Sequence, residues 1–137
     1  MTKDQNFTAL VQAFFTERLL RQRNASPQTI AAYRDSFRLF LRFAAKRLKK
    51  QPATLTLDEL DAAFIGEFLD HLETERANSA RTRNARLAAI HSFFRYISFQ
   101  EPSCADLCHQ ILAIPTKRYE RKLIEYLTRE EIDAILA

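Results

Sequence analysis

Apolar residues recur at helical spacing in five stretches of the chain. The clearest stretch runs from Ser26 to Lys50, where they fall within a stripe ~100° wide: Ile30, Tyr33, Phe37, Phe40, Leu41, Ala44 and Leu48. The same periodicity predicts helices over about 7–21, over 57–76 with a break near Asp61, over 80–99 and over 104–114. The pattern therefore predicts an all-α fold with five helical stretches.

Helix start and stop signals divide the chain. Ser26 is a good N-cap with Pro27 at the first helical position, and Asn78-Ser79 precedes the fourth helix. Residues 115–127 lack helical periodicity and read as an extended linker, and the capping-box pattern at 128–131 opens a further helix. We therefore expect a helical domain over 1–114, a linker over 115–127 and the start of a second domain over 128–137, which makes the chain a piece of a longer protein. Gly66 lies inside the third helix, where it would permit close helix packing.

The composition is that of a globular protein, and a cytoplasmic location is expected. The 137 residues are 47% hydrophobic and 28% charged, which excludes a disordered chain, and a single Gly favours long helices. No run approaches the ~18 apolar residues of a membrane span, and the N-terminus has no signal-peptide core. A cytoplasmic protein without a membrane partner is the expectation.

Charge is segregated along the chain in the order basic, acidic, basic. Residues 26–50 hold seven Lys or Arg against one acid, residues 51–75 hold seven acids and no Lys or Arg, and residues 76–100 hold five Arg and no acid. On the second helix Arg34, Arg38 and Arg42 follow one another at four-residue steps, so they form a continuous row beside the core stripe. This distribution indicates an anionic partner.

The first turns of the fourth helix are also basic. Cations there oppose the helix dipole, and Arg, Asn and Thr are side chains that bind phosphates and base edges. Two basic helices are compatible with a clamp on the major groove of DNA. Two alternatives remain open: a solvated basic face, and salt bridges from Arg38 or Arg42 to Asp70 or Glu73 of the acidic third helix.

The sequence gives little support for a catalytic site or a metal site. Cys104, Cys108 and His109 form C-x-x-x-C-H, but a metal site would need a fourth ligand, so reduced, half-buried thiols are the ordinary reading. Neither a Ser-His-Asp set nor a P-loop nor a dinucleotide fingerprint is present. The phenylalanines sit at core spacing and are expected to pack, not to stack on bases. We expect no catalytic residue, no metal and no cofactor in this chain.

Three segments together resemble the tyrosine recombinase, or phage integrase, family. They are SPQTIAAYRDSFRLFLRFA, NSARTRNARLAAIHSFFRYI and YLTREEIDAILA, and they occur in the family's order. The resemblance implies an N-terminal core-binding domain, a four- to five-helix orthogonal bundle of the SAM-like type, which forms half of a C-shaped clamp around duplex DNA. It implies that two helices enter the major groove, that the last helix packs between protomers, and that the linker cations Lys117, Arg118, Arg121 and Lys122 cross the DNA.

The family's catalytic arginine, lysine, His-x-x-Arg motif and tyrosine nucleophile would all lie beyond Ala137, so Tyr119 and Tyr126 are not candidates. The resemblance implies that the longer protein breaks and rejoins DNA through a phosphotyrosine link, as a tetramer of protomers on paired recombination sites, while this fragment only binds. The alternatives are a helical protein-interaction module and a standalone DNA-binding regulator. The predicted DNA-binding residues are Ser26, Gln28, Thr29, Arg34, Arg38, Arg42, Arg81, Thr82, Arg83, Asn84, Arg86, Lys117 and Arg118.

Overall fold

The computed structural model describes residues 6–117 and 133–134, and over these residues the fold is all-helical. Helix α1 spans Phe7–Ala13 and continues as a π-helical segment over Phe14–Gln22. It is followed by α2 (Pro27–Leu48), α3 (Ala62–Thr74), α4 (Ala80–Gln100) and α5 (Ala105–Leu112). Short 3-10 turns cover Pro52–Thr54, Leu57–Glu59 and Pro102–Cys104. The described residues contain no strand, only an isolated bridge between Asn6 and Thr56, so the predicted all-α class is confirmed.

Side-chain caps explain where the helices begin. Ser26 caps α2 and Ser79 caps α4, each accepting a hydrogen bond from the backbone N–H three residues later, as predicted. Asp61 does the same for α3, which accounts for the break near that residue. The preceding turn over Leu57–Glu59 is closed by a capping box in which the Glu59 carboxylate accepts from the Thr56 N–H.

Three helical stretches are followed by non-glycine residues in the left-handed region. Asn24, Lys49 and Ala77 have φ angles of 48°, 54° and 53°. Glycine normally occupies such positions because it lacks a Cβ. The chain's single glycine instead lies within α3, where a Cβ added to Gly66 would meet nothing within 4 Å. Close helix packing therefore does not explain Gly66.

The first helical stretch has the predicted extent but an unexpected register. From Phe14 to Gln22 the backbone is π-helical, in which each N–H bonds a carbonyl five residues earlier. Phe14 and Leu19 are five residues apart and are both fully buried. At 100° per residue an α-helix would place them about 140° apart, so the wider turn keeps both on the core face.

The core is a cluster of aromatic rings around α4. Phe93 of α4 packs edge-on against Phe7, Phe14 and Phe37, with ring centroids 5.4 to 5.6 Å apart. Helix α4 also contacts α3 and α5, so it, more than α2, is the centre of the bundle. Eight of the eleven phenylalanines are buried, which agrees with a packing role, whereas Phe99 is exposed.

The chain leaves α5 in an irregular conformation over residues 114–117. The rest of the expected linker, including Arg118, and the capping box at 128–131 lie outside the described residues, and Asp133 and Ala134 are helical. The proposed domain boundaries therefore stay a prediction. Among the described residues, every helix is too short or too polar to cross a lipid bilayer.

Candidate nucleic-acid interface

The cationic row of α2 lies on the solvent side of the bundle. Arg34, Arg38 and Arg42 are all exposed, whereas Phe37 and Phe40 on the other side of the helix are buried. Arg38 lies 3.5 Å from the carboxylate of Asp35, one turn earlier on the same helix. Within residues 6–117 neither Arg34 nor Arg42 forms an ion pair. Two of the three guanidinium groups are therefore available to an external anion.

The N-termini of α2 and α4 have the same hydrogen-bonded arrangement. Ser26 Oγ accepts from the Thr29 N–H at 3.1 Å and donates to Thr29 Oγ1 at 3.0 Å. Ser79 and Thr82 repeat both contacts at 3.2 Å. The hydroxyls of Ser26, Thr29 and Thr82 are thus engaged in capping, while the neighbouring Gln28 and Arg81 are exposed. The latter two are the more accessible members of the predicted set at these helix ends.

Arg83 and Asn84 make contacts within the chain. The Arg83 Nε atom lies 3.3 Å from Glu73 Oε1, and only 13% of the Arg83 side chain is exposed. Asn84 Nδ2 donates to the Lys117 carbonyl at 2.7 Å, and Asn84 Oδ1 accepts from the Lys117 N–H at 2.8 Å. The Lys117 ammonium in turn donates to Glu73 Oε2 at 2.6 Å. The structure therefore brings Arg83, Asn84 and Lys117 together around one carboxylate.

Arg86 faces the interior of the bundle. Its Nη1 donates to Ser36 Oγ of α2 at 3.1 Å, and Ser36 is only 2% exposed. The Arg86 Nε is buried and has no hydrogen-bond partner in the part of the chain that is described. This geometry makes Arg86 a bridge between α4 and α2.

The alternative of salt bridges between α2 and α3 takes a different form from the one considered above. Over the described residues, neither Arg38 nor Arg42 pairs with Asp70 or Glu73. Instead Arg47 of α2 pairs with Glu67 of α3, and Glu73 pairs with Arg83 and Lys117. The Glu73 carboxylate of the acidic helix therefore lies against the first turns of α4.

A groove between α2 and the end of α3 collects further cations. It encloses about 150 Å³, its floor is apolar, and its lining contains Arg42, Lys46, His71 and Arg76 and no acidic residue. Lys46 and Arg76 were absent from the predicted set. The signal for Lys46 was in the sequence, since it continues the row of Arg34, Arg38 and Arg42 by one more four-residue step. Arg76 follows α3, so its position depends on the tertiary fold.

The two cysteines are buried. Burial, reinforced by the neighbouring Cys104, raises the pKa of Cys108 to about 11, which disfavours the thiolate that a metal would need. His109, the third member of the C-x-x-x-C-H pattern, is exposed. Across the described ranges no three His, Cys, Asp or Glu residues are grouped as a metal site.

Comparison with known proteins assigns the bundle to a family. Residues 13–100 match the model of the phage integrase N-terminal SAM-like domain, which covers all of α2, α3 and α4. The chain belongs to this family. This membership confirms the predicted SAM-like bundle and the resemblance to tyrosine recombinases. No solved structure matched this integrase-family chain.

Relatives of the integrase-family chain include three bacterial proteins. It is 50% identical, over its whole length, to a putative integrase/recombinase of Sinorhizobium fredii, of which it covers 41%. A second putative integrase/recombinase of that organism is 46% identical over 93% of the chain, which covers 45% of it. The tyrosine recombinase XerC of Pelobacter propionicus is 34% identical over 89% of the chain, which covers 38% of it. The chain thus spans less than half the length of these relatives.

The integrase match contains nearly the whole candidate surface. The matched residues 13–100 include every exposed cation of α2 and α4, together with the groove residues Lys46 and Arg76. Lys117 lies outside the matched residues. The candidate interface of the integrase-family bundle therefore comprises α2, the first turn of α4 and the groove beside α3.

Proposed function

We propose that this domain binds duplex DNA at a recombination site through α2 and the first turn of α4. The observation that carries the proposal is the exposure of Arg34, Arg42 and Arg81 without an acidic partner among the described residues. An exposed guanidinium group without an acidic partner is available to pair with an external anion. Membership of a family whose members act in recombination makes DNA the natural anion.

The exposed cations fall into two groups with different expected contacts. Arg42, Lys46 and Arg76 line the groove between α2 and α3, where a concave surface of one charge suits a phosphate. Gln28 and Arg81 lie at the N-termini of α2 and α4, where free backbone N–H groups also attract phosphate. The side chains of Gln28 and Arg81 have both the exposure and the chemistry to reach base edges, which would give sequence specificity.

Binding to a duplex at increasing salt tests the proposal. With about five phosphates neutralised, log K should fall against log[salt] with a slope of about −4 to −5. Arg42→Ala should make this slope shallower by about 0.9, because one phosphate contact is lost. Absence of binding to any duplex at about 50 mM salt would refute the proposal.

For the longer protein we propose site-specific recombination, with breaking and rejoining of DNA by a catalytic domain beyond Ala137 and assembly with other protomers on paired sites. The names of the relatives support this proposal, and the share of their length that the chain covers leaves room for such a domain. Sequencing the reading frame past Ala137 is the direct test. An arginine, a His-x-x-Arg motif and a tyrosine should follow, and a stop soon after would favour a standalone regulator instead.

The protein-interaction alternative requires the acidic segment of one copy to dock on the basic helices of another. Of the acids in residues 51–75, Glu59, Glu67 and Glu73 already pair with cations of the same chain, and Asp61 caps α3. Few carboxylates therefore remain for a second copy. Sedimentation at low salt distinguishes the two, since this alternative alone predicts self-association without DNA.

A further inference from the structure

We infer that Asn84 is a positioning residue that docks the chain after α5 onto α4 and so holds Lys117 at the proposed DNA-facing surface. The two residues are 33 positions apart, and both ends of the Asn84 carboxamide bond the same residue: Nδ2 donates to the Lys117 carbonyl and Oδ1 accepts from the Lys117 N–H. A side-chain amide can make both bonds at once because it carries N–H donors on one atom and a carbonyl acceptor on the other. The pair resembles the exchange of two hydrogen bonds between neighbouring strands.

Glu73 holds the other end of the same lysine. Its Oε2 accepts from the Lys117 ammonium at 2.6 Å, while its Oε1 lies 3.3 Å from Arg83 Nε. Its side chain is 22% exposed and lies between the two cations, so the three groups fix one another. The backbone of Lys117 is thus attached to α4 and its ammonium to α3.

This arrangement gives Asn84 a role different from that of a base-reading residue. The Asn84 Nδ2 uses one of its two N–H groups on the Lys117 carbonyl, and Oδ1 accepts from the Lys117 N–H and, at 3.5 Å, from Arg83 Nη1. One N–H therefore remains for a base edge, which is too little for a paired donor-and-acceptor contact. Asn84 would then affect DNA binding through the position of Lys117, whose side chain is 52% exposed beside the first turns of α4. This part of the inference rests on the proposed function.

The docking itself is testable without DNA, by hydrogen exchange of the Lys117 amide followed by NMR on the whole chain. Asn84→Ala removes the acceptor of that N–H and should speed its exchange about tenfold, the equivalent of ~1.4 kcal/mol. The variant should fold, because Ala is the better helix former. Gln100→Ala is the matched control: it removes an exposed carboxamide from the other end of α4 and should leave the Lys117 amide unchanged. Equal exchange in the wild type and in Asn84→Ala would overturn the docking.

A second measurement tests the consequence for DNA binding. It compares two pools of short fluorescent duplexes, one selected for binding to the wild-type chain and one unselected. Asn84→Ala should make the slope of log K against log[salt] shallower by about 0.9, the same change that is expected for Lys117→Ala, although Asn84 carries no charge. The double variant Asn84→Ala/Lys117→Ala should reduce this slope by no more than Lys117→Ala alone. An unchanged slope with poorer discrimination between the pools would overturn the inference, because it would mean that Asn84 contacts a base. If the wild type binds neither pool, the proposed function fails, and hydrogen exchange alone still decides the docking.

Discussion

Arg86→Met separates arginines that hold the bundle together from arginines that face outward. The substitution keeps the apolar stem of the side chain and removes the guanidinium that donates to Ser36 Oγ at 3.1 Å. A hydrogen bond from a charged donor contributes about 1.5–3 kcal/mol. Two facts reduce that figure: Arg86 is only partly buried, and Ser36 still donates to the Ala32 carbonyl at 3.0 Å after the change. We therefore expect a loss of about 1–1.5 kcal/mol in the free energy of unfolding.

Urea denaturation followed by circular dichroism measures this loss, and thermal unfolding should show a Tm lowered by about 3–7 °C for a domain of this size. Arg81→Met is the matched control, because it makes the same replacement at an exposed position of the same helix. It should change stability by less than about 0.5 kcal/mol. A double-mutant cycle with Ser36→Ala isolates the contact, and a coupling of about 1 kcal/mol is expected.

The opposite ranking would refute this reasoning. If Arg81→Met destabilised the domain more than Arg86→Met, or if the cycle gave no coupling between positions 36 and 86, the contact would contribute nothing to the fold. Arg86 would then be as free to meet DNA as Arg81. The affinity of each variant for a duplex, measured well below its Tm, distinguishes this case, since only an outward-facing arginine should change the salt slope.

Three further outcomes follow from the packing. Gly66→Ala should raise the free energy of unfolding by about 0.5–1 kcal/mol in urea titrations, because the added Cβ meets nothing and alanine lowers the conformational entropy of the unfolded chain. A lower free energy of unfolding would show that the site is crowded. Burial lowers the pKa of His91, whose Nε2 bonds the Ile111 carbonyl, so the unfolded chain protonates first and stability should fall as the pH drops below about 6.5. His91→Gln keeps a donor and should flatten this part of the stability–pH curve; an unchanged slope would assign it to another group. Cys108, with a pKa of about 11, should resist iodoacetamide at pH 8 until the protein is unfolded, and rapid alkylation in the native state, read by mass spectrometry, would contradict its burial.

The helices were predictable because their signals are local. Ser26 and Ser79 lie within three residues of the N–H groups they cap, and the period of the apolar residues fixes the buried face of each helix. The π-helical register of Phe14–Gln22 was not predicted, because a single pair of apolar residues at five-residue spacing, Phe14 and Leu19, is too little to distinguish a π turn from an α turn in the sequence. Tertiary packing against Phe93 and Tyr96 accompanies the wider turn.

The candidate site was only partly predictable, because ion pairs join residues far apart in the sequence. Spacing alone presented Arg81, Arg83 and Arg86 as equivalent members of one basic turn. The fold exposes the first, directs the second to Glu73, and directs the third to Ser36, 50 residues away. Which arginines stay available to a ligand depends on neighbours supplied by other helices, and a helical repeat carries no information about these.

The left-handed residues that follow the helices leave this domain below the stability that its architecture allows. Lys49 and Ala77 adopt φ angles above 50° in which a Cβ is strained, a cost of roughly 1 kcal/mol each for an L-residue other than Asn or Asp. Replacement by glycine relieves this strain and gives up part of the gain to the greater freedom of the unfolded chain. Both positions lie in turns, away from the buried aromatic cluster. The domain therefore has a reserve of stability that could be recovered without altering its core, and an engineered version could tolerate destabilising changes on the candidate interface.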